Sequence, residues 1–296
     1  MQIAFHLGAH ATDDERLIRT LANAPEALDT AGTHTPVPRA YRNALRDALI
    51  ALKGRPADAA TQQALLEAAA RGARGEIRRL VFSYENFLAL PESAITEKGF
   101  YPAAAEKLGP LANLFPGAQV DFFLALRNPA LLVSALAARQ PGRSIEEILA
   151  GQAPESLRWG PVVARMAQAA QAAGAARLIL WCHEDLPLVL PEVVRAIGGL
   201  AEEVALPEED RLLAEIMTAE GMARLRGYLA QHPPKTVEQR RKVLAAFLDK
   251  FARPEQLEEE VTLPGWDADL VARMTAAYEA DVLEIAALEG VTFIAP

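Results

Sequence analysis

The chain has 296 residues, of which 51% are hydrophobic and 23% are charged, and its formal net charge is -9. This is the composition of a globular protein, and the acidic balance argues against general affinity for nucleic acid or anionic membranes. No apolar run reaches the roughly 18 residues that a membrane helix needs, and Met1-Gln2-Ile3-Ala4-Phe5 lacks a secretion-signal pattern. Because Cys182 is the single cysteine, no internal disulfide can form, and the sequence predicts a cytoplasmic protein.

Short apolar runs alternate with amphipathic stretches through the first two thirds of the chain. Continuous apolar runs predict buried strands, and apolar residues that recur every three or four positions predict helices. The predicted strands are Gln2–Leu7, Leu80–Ser83, Val120–Leu126 and Arg177–Cys182. The predicted helices are Asp13–Ala22, Tyr41–Lys53, Ala60–Ala70, Ala103–Leu114, Pro129–Ala138, Val162–Ala173 and Leu188–Ile197, with a capping box at Ser144 and Glu147 that opens a further short one.

The strand signal is weak from about Pro207 onward. Glu208–Ala230, Val237–Phe251 and Asp267–Leu288 are predicted to be helices, the second of them opened by a cap at Thr236. We therefore predict an α/β domain over residues 1–204 and a C-terminal helical region over residues 205–296 that packs on it.

Strands that alternate with helices indicate a parallel sheet covered on both faces, which is a three-layer α/β sandwich. In such sheets ligands bind beyond the carboxyl ends of the strands. The residues that follow Leu7, Ser83, Leu126 and Cys182 are therefore the candidates for a functional site.

The residues after the first predicted strand have the outline of a phosphate-binding loop. Such a loop presents backbone N–H groups, usually through glycines, together with a lysine and a hydroxyl. Gly8 and Thr12 fit this outline. The GxxxxGK[ST] and GxGxxG patterns are absent, which argues against ATP or GTP hydrolysis and against dinucleotide binding.

Polar residues also follow the other three predicted strands. Ser83-Tyr84-Glu85-Asn86 forms the end of the second, and Arg127-Asn128-Pro129 follows the third. Arg127, leaving a buried strand, and Ser134, on the next helix, can converge on one phosphate. The fourth strand is followed by His183-Glu184-Asp185, whose side chains alternate in direction, so we expect these residues to cap the next helix rather than to bind a metal.

Taken in order, these segments resemble the sulfotransferase superfamily, whose members transfer sulfate from 3'-phosphoadenosine-5'-phosphosulfate (PAPS) to a hydroxyl or an amine. The resemblance is closest to bacterial members whose first strand ends in a His-x-Gly-x-His-Lys-x-Gly-Thr-Thr-like loop, and it extends over roughly residues 2–200. It implies a P-loop NTPase-like fold with a central parallel sheet. The matching positions are His6, Gly8, His10, Ser83, Glu85, Arg127-Asn128-Pro129, Trp159 and Glu184-Asp185-Leu186.

The resemblance also implies a site for PAPS or for its product 3',5'-adenosine bisphosphate (PAP), without a metal. His10, in place of the family's lysine, and Glu85, as a base toward a small acceptor, are the implied catalytic residues. The implied cofactor-binding residues are Gly8, Ala9, Ala11, Thr12, Arg127 and Ser134.

The loop departs from the family pattern where the phosphate would bind. The family's lysine aligns on Ala11, its glycine on Asp13, and the hydroxyl residues on Asp14 and Glu15. At about 4 Å and an effective dielectric near 20, each like-charge contact costs on the order of 4 kcal/mol before screening. The family's arginine and serine are eight residues apart. In this sequence Ser134 is seven residues after Arg127, and the eighth residue is Ala135. These departures are expected to abolish ordinary PAPS affinity.

Two functional hypotheses follow from these residues. In the first, the protein is an enzyme that still binds PAPS through Arg127, Ser134 and the loop backbone; in the second, it is an inactive binding or interaction module. A purely structural role is also open for the loop, as a T-x-x-E capping box from Thr12 to Glu15 whose carboxylates satisfy the helix N–H groups themselves. Arg127 would then pair with a carboxylate, His10 would bond to backbone, and Glu85 would belong to a turn.

Overall fold

The computed structural model describes residues 1–13, 15–175, 177–207, 209–257 and 260–296. In this part of the chain a central sheet of six parallel strands runs in the order β2-β3-β1-β6-β7-β8. Strands β4 and β5 form a separate antiparallel pair. The strands are β1 (Gln2–His6), β2 (Thr33–His34), β3 (Arg79–Ser83), β4 (Ile95–Thr96), β5 (Gly99–Phe100), β6 (Gln119–Leu126), β7 (Arg177–Cys182) and β8 (Val291–Phe293).

Helices cover both faces of the sheet, so the predicted three-layer α/β sandwich with a C-terminal helical extension is confirmed. Up to the end of β7 the helices are α1 (Arg16–Ala22), α2 (Pro25–Ala31), α3 (Pro38–Leu52), α4 (Ala59–Ala69), α5 (Ala104–Ala112), α6 (Pro129–Ala138), α7 (Ile145–Leu149) and α8 (Trp159–Ala172). After β7 they are α9 (Leu186–Gly198), α10 (Arg211–Ile216), α11 (Ala219–Gln231), α12 (Val237–Phe251), α13 (Pro254–Leu257) and α14 (Ala268–Ala286).

The core follows from the alternation of side chains along the strands, which sends successive residues to opposite faces of the sheet. On one face Phe5 stacks on Phe82 and Phe122, with ring centroids 5.4 and 5.8 Å apart, beneath α3, α5 and α8. On the other face Phe123 and Trp181 pack against α1 and α9. Burial of these large apolar side chains on both faces is the main source of stability.

A buried ionic cluster lies at the amino end of the sheet, opposite the candidate site. The carboxylate of Asp121, on β6, is wholly buried and accepts hydrogen bonds from Arg79, on β3, at 3.1 Å and from Arg177, on β7, at 2.7 Å. The Arg79 guanidinium also donates to the carbonyl of Ile197 at 2.9 Å, at the end of α9. The cluster therefore links β3, β6 and β7, of which β3 and β6 lie on either side of β1, to a covering helix.

The C-terminal region differs from its prediction in two respects. The single helix expected over Glu208–Ala230 is wrong: α10 ends at Ile216, Met217 forms a bridge with Ala252, and the Thr218 hydroxyl caps α11 by accepting from Gly221. The region also supplies β8, which pairs with β7.

Helix α14 is fixed to the carboxyl edge of the sheet by polar contacts. The Tyr278 hydroxyl donates to Glu184 at 2.9 Å, and Asn128 donates to the hydroxyl of Thr275 at 2.8 Å. Arg158 donates to the buried carboxylate of Asp281 at 2.6 and 2.9 Å. The C-terminal helix therefore supports the residues that follow β6 and β7.

Candidate functional site

Strands β1, β3, β6 and β7 end at one edge of the sheet, and two cavities of the described structure open there. The Arg127 cavity has a volume of about 440 Å³, and its charged lining residues are Asp13, Arg16, Arg127, Arg139, Glu184 and Glu215. The His6 cavity has a volume of about 460 Å³, and its polar lining residues include His6, Asp13, Ser83, Tyr84, Glu85 and Asn86. Asp13 and Arg139 border both cavities, so the loop after β1 lies between them.

This loop begins with Gly8, which has a φ of +74°. A Cβ atom at this position would lie 2.8 Å from the Cα of Glu85, closer than packing allows. Glycine is therefore required here because the loop crosses the backbone that follows β3. This close approach explains the residue without a bound phosphate.

Two N–H groups at the amino end of α1 are satisfied by the protein itself. The backbone N–H of Arg16 donates to the carbonyl of Asp13 at 2.8 Å, and the N–H of Leu17 donates to the Asp13 carboxylate at 3.3 Å. The N–H of Arg19 donates to the carbonyl of Glu15 at 2.9 Å. The N–H groups of Arg16 and Leu17 are among those that an anion would use at a helix amino terminus, whereas the Arg19 bond is the first regular hydrogen bond of the helix.

The T-x-x-E capping box expected over Thr12–Glu15 is wrong in its details. The Thr12 hydroxyl donates to the carbonyl of Ala9 at 2.9 Å, and the Glu15 side chain is 71% exposed and 3.4 Å from Arg19. The physical reason is that Ala11 and Glu15 both have positive φ, which turns the chain before α1 begins at Arg16. Asp13 caps the helix instead, and Asp14 lies outside the described residues.

If Asp13 caps α1, its replacement should lower the stability of the protein. We expect Asp13→Ala to lower the free energy of unfolding by about 1 kcal/mol, because it removes a helix cap and the negative charge at the helix amino end. Glu15→Ala, in the same loop, is expected to change it by less than about 0.5 kcal/mol, since its side chain is exposed. Urea denaturation followed by circular dichroism measures both, and equal losses would contradict the assignment.

His10 lies in the core, away from both cavities. Its Nε2–H donates to the carbonyl of Ala89 at 3.1 Å, which leaves Nδ1 to accept from the Tyr101 hydroxyl at 2.6 Å. Burial lowers the pKa of His10, so the ring is held neutral. The structure thus places His10 as a link between the loop and the segment before α5, and not beside a ligand.

Arg127 and Ser134 are not brought together. The Arg127 guanidinium donates to the carbonyl of Ala11 and lines the cavity with Leu131, which lies in the first turn of α6. Ser134 is half-buried and lines neither cavity. The residue spacing of seven places Ser134 about 100° away from the direction that the family's spacing requires.

The remaining implied residues are occupied by contacts within the protein. Glu85 pairs with Arg139 across the boundary of the cavities, with a nitrogen–oxygen distance of 2.6 Å. Ala9 and Thr12 are buried residues of the loop, and Thr12 also lines the Arg127 cavity. Ala11 contributes the carbonyl oxygen that accepts a hydrogen bond from Arg127. At this position a phosphate-binding loop would instead point backbone N–H groups toward the phosphate.

The segment after β7 contributes more to the site than the sequence indicated. His183 lines the Arg127 cavity, where burial and the charges of Arg127 and Arg16 lower its pKa to about 4. The expected capping of α9 is wrong, since the Asp185 side chain makes no cap. Glu184 instead accepts from the backbone N–H of Asn128 at 2.8 Å, and burial raises its pKa.

The Arg127 cavity also includes residues from beyond the α/β region. Glu215, on α10, pairs with Arg16 at 2.7 Å, and Ile216 and Gln256 complete this wall. No sequence signal connected α10 with the loop after β1.

Among the described residues, no group of three His, Cys, Asp or Glu side chains is arranged to hold a metal ion. In the same part of the chain, every helix is too short or too polar to cross a membrane.

The fold and the cavities define an α/β protein with a cleft of ligand size at the carboxyl edge of a parallel sheet. No protein-family model matches the chain, and no curated protein matches it. The sulfotransferase resemblance therefore depends on the ordered residues of the sequence alone.

Proposed function

We propose that this chain is a sulfotransferase-like binding protein that holds a small ligand at the carboxyl edge of the sheet and does not use PAPS. The observation that carries the proposal is the position of Asp13. Its carboxylate accepts from the N–H of Leu17 at the start of α1 and borders both cavities. A negative charge built into the protein thus occupies the place that suits a phosphate.

The electrostatics of the Arg127 cavity support the same proposal. Three arginines and three carboxylates line it, so their formal charges cancel. Arg16 is paired with Glu215, and Arg139 with Glu85. With His183 neutral at pH 7, the cavity lacks the excess positive charge that would offset the cost of desolvating a dianionic phosphosulfate.

The volumes and positions of the two cavities support the binding of a small ligand. Volumes of about 440 and 460 Å³ lie within the range of small-molecule sites. They lie beyond the carboxyl ends of parallel strands, where α/β proteins bind ligands. A cytoplasmic location is part of the proposal and is supported by the single, buried Cys182.

A second candidate is a PAPS-dependent sulfotransferase, and one observation favours it. Arg16, Arg127 and Arg139 line the same cavity, and arginine is the side chain best suited to phosphate. For this candidate, Glu85 would act as a base toward an acceptor in the His6 cavity, after release from Arg139.

Calorimetric titration with PAP separates the two candidates. For the unmodified protein we expect no heat of binding up to millimolar PAP, because Asp13 holds the N–H groups of Arg16 and Leu17 and the cavity charges cancel. Arg127→Ala is the matched variant and should give the same result. Micromolar binding that disappears in Arg127→Ala would contradict the proposal and support the sulfotransferase.

A further inference from the structure

Helices α10–α13 form a small unit with a hydrophobic core of its own, which we call the lid (residues 211–257). Its buried side chains come from α10, α11, α12 and the junction between the first two, and they are Leu213, Ile216, Met217, Met222, Leu225 and Leu244. The buried residues of the cores on the two faces of the sheet lie outside this range. The lid therefore packs around itself rather than around the sheet.

Backbone hydrogen bonds join the ends of the lid helices. The N–H of Thr218, between α10 and α11, donates to the carbonyl of Phe251 at 2.9 Å, and the N–H of Arg253 donates to the carbonyl of Ile216 at 2.8 Å. A Cβ atom on Gly221 would lie 2.4 Å from the Cβ of Phe251, so α11 and α12 are in close contact. These bonds and contacts make the lid one body.

The lid meets the α/β region along α9. Leu188, on α9, and Leu212, on α10, are partly buried and pack against both the lid core and the core between the sheet and α9. Glu192, on α9, has nitrogen–oxygen distances of 3.8 Å to Arg240 and 3.7 Å to Arg241, and Arg241 also donates to a carbonyl near the C-terminus. This contact is weaker than the lid's own core, because the leucines are only partly buried and the carboxylate is too far from both arginines to hydrogen-bond.

The lid also forms a wall of the Arg127 cavity. The lid residues in this wall are Leu212, Glu215, Ile216 and Gln256. Glu215 joins the lid to the start of α1 through its pair with Arg16, at 2.7 Å, in which the two side chains are 43% and 32% exposed. Exposed ion pairs contribute little to stability, so this pair can break and re-form while the lid and the sheet both stay folded.

We infer that the lid covers the Arg127 cavity and opens as one body while the sheet stays folded, with the Arg16–Glu215 pair as its latch. The inference rests on the proposed function of this edge as a ligand-binding cleft. Opening moves the lid wall away and gives a ligand access to the residues that follow β1, β6 and β7, and closing restores the wall. Ligand sites often lie between two packed units, and the movement of one unit then controls entry and release.

Distances between two spin labels, measured by double electron–electron resonance on the full chain, test this inference. The labels are attached through Ala246→Cys, on α12, and Lys107→Cys, on α5, because both positions are exposed. Cys182 stays in place, since it is buried and burial raises the pKa of its thiol to about 12, which keeps it unreactive at neutral pH. We expect two populations of distances, one for the closed lid and one for the open lid.

Variants of the latch assign the two populations. Glu215→Gln should raise the ratio of open to closed lid about two- to fivefold, as expected for the loss of an exposed ion pair. Reversing the pair, with Arg16→Glu and Glu215→Arg together, should return the ratio to that of the unmodified protein. Glu220→Gln is the matched control, because it removes an exposed pair with Arg224, at 2.6 Å, that lies within α11, and it should leave the ratio unchanged.

A second pair of labels, attached through Glu26→Cys on α2 and Lys107→Cys, reports on the α/β region and should give one population in every variant. The inference is overturned if the lid labels give a single population in both the unmodified protein and Glu215→Gln, or if Glu220→Gln changes the ratio as much as Glu215→Gln does. Two populations for the second pair would also overturn it, because the α/β region itself would then be moving. PAP is absent from this experiment, so its failure is distinct from failure of the proposed function.

Discussion

Replacing Asp121 with alanine is expected to lower the free energy of unfolding by about 3–5 kcal/mol, which is a large part of the stability of a typical domain. The carboxylate is wholly buried, and Arg79, which is 2% exposed, depends on it as a counter-charge. Without it, the Arg79 guanidinium would remain in the core with only neutral acceptors such as the carbonyl of Ile197. Leaving one member of a buried pair uncompensated costs far more than the pair contributes.

Urea denaturation followed by circular dichroism measures this loss. Asp47→Ala is the matched control, since Asp47 also pairs with an arginine, Arg46, but both side chains are about two-thirds exposed. Its effect is expected to stay within about 0.5 kcal/mol. A loss below about 1 kcal/mol for Asp121→Ala would mean that the cluster is not a structural determinant of the sheet.

Gly8→Ala is expected to lower the free energy of unfolding by more than about 2 kcal/mol, because two costs add. The first is backbone strain, since φ at Gly8 is +74°. The second is steric, because the new Cβ would lie 2.8 Å from the Cα of Glu85, a backbone atom that cannot move aside alone. The variant should also displace the loop that borders both cavities.

Gly117→Ala separates the two costs. Gly117 has a similar φ of +80°, but a Cβ there would meet no atom within 4 Å. We expect it to cost about 1–2 kcal/mol from strain alone. Thermal and urea unfolding of both variants give the difference, and an equal loss at the two positions would show that the approach to Glu85 imposes no steric limit.

The sequence predicted elements well where local signals agreed. Helix α6 has the predicted bounds because the Asn128 side chain caps it by accepting from the N–H of Ala130, and Pro129 begins it with a fixed φ. Strand β7 was recognisable as a continuous apolar run. The capping box of Ser144 and Glu147 is present with both hydrogen bonds.

The sequence failed where partners are distant along the chain. Strand β8 has only three residues and is stabilised by pairing with β7, so no local pattern marks it. The helix expected after residue 208 is broken at Met217 by its bridge to Ala252. Short elements of this kind are determined by tertiary contacts more than by propensity.

The same limit applies to the site. The sequence predicted that the four strand ends meet at one edge of a parallel sheet, and the structure places them there. It could not show that His10 bonds to Tyr101 and Ala89, or that Glu85 pairs with Arg139. It also could not show which acidic residue caps α1, because that depends on the positive φ values of Ala11 and Glu15.

The central claim is that Asp13 occupies the place of a phosphate at the amino end of α1. It is tested most directly by NMR of leucine-labelled protein, in which the amide resonance of Leu17 reports on that position. We predict that this resonance does not move when PAP is added to millimolar concentration. A saturable shift of the Leu17 amide with PAP would contradict the claim, because it would show an anion reaching the N–H that Asp13 is expected to hold.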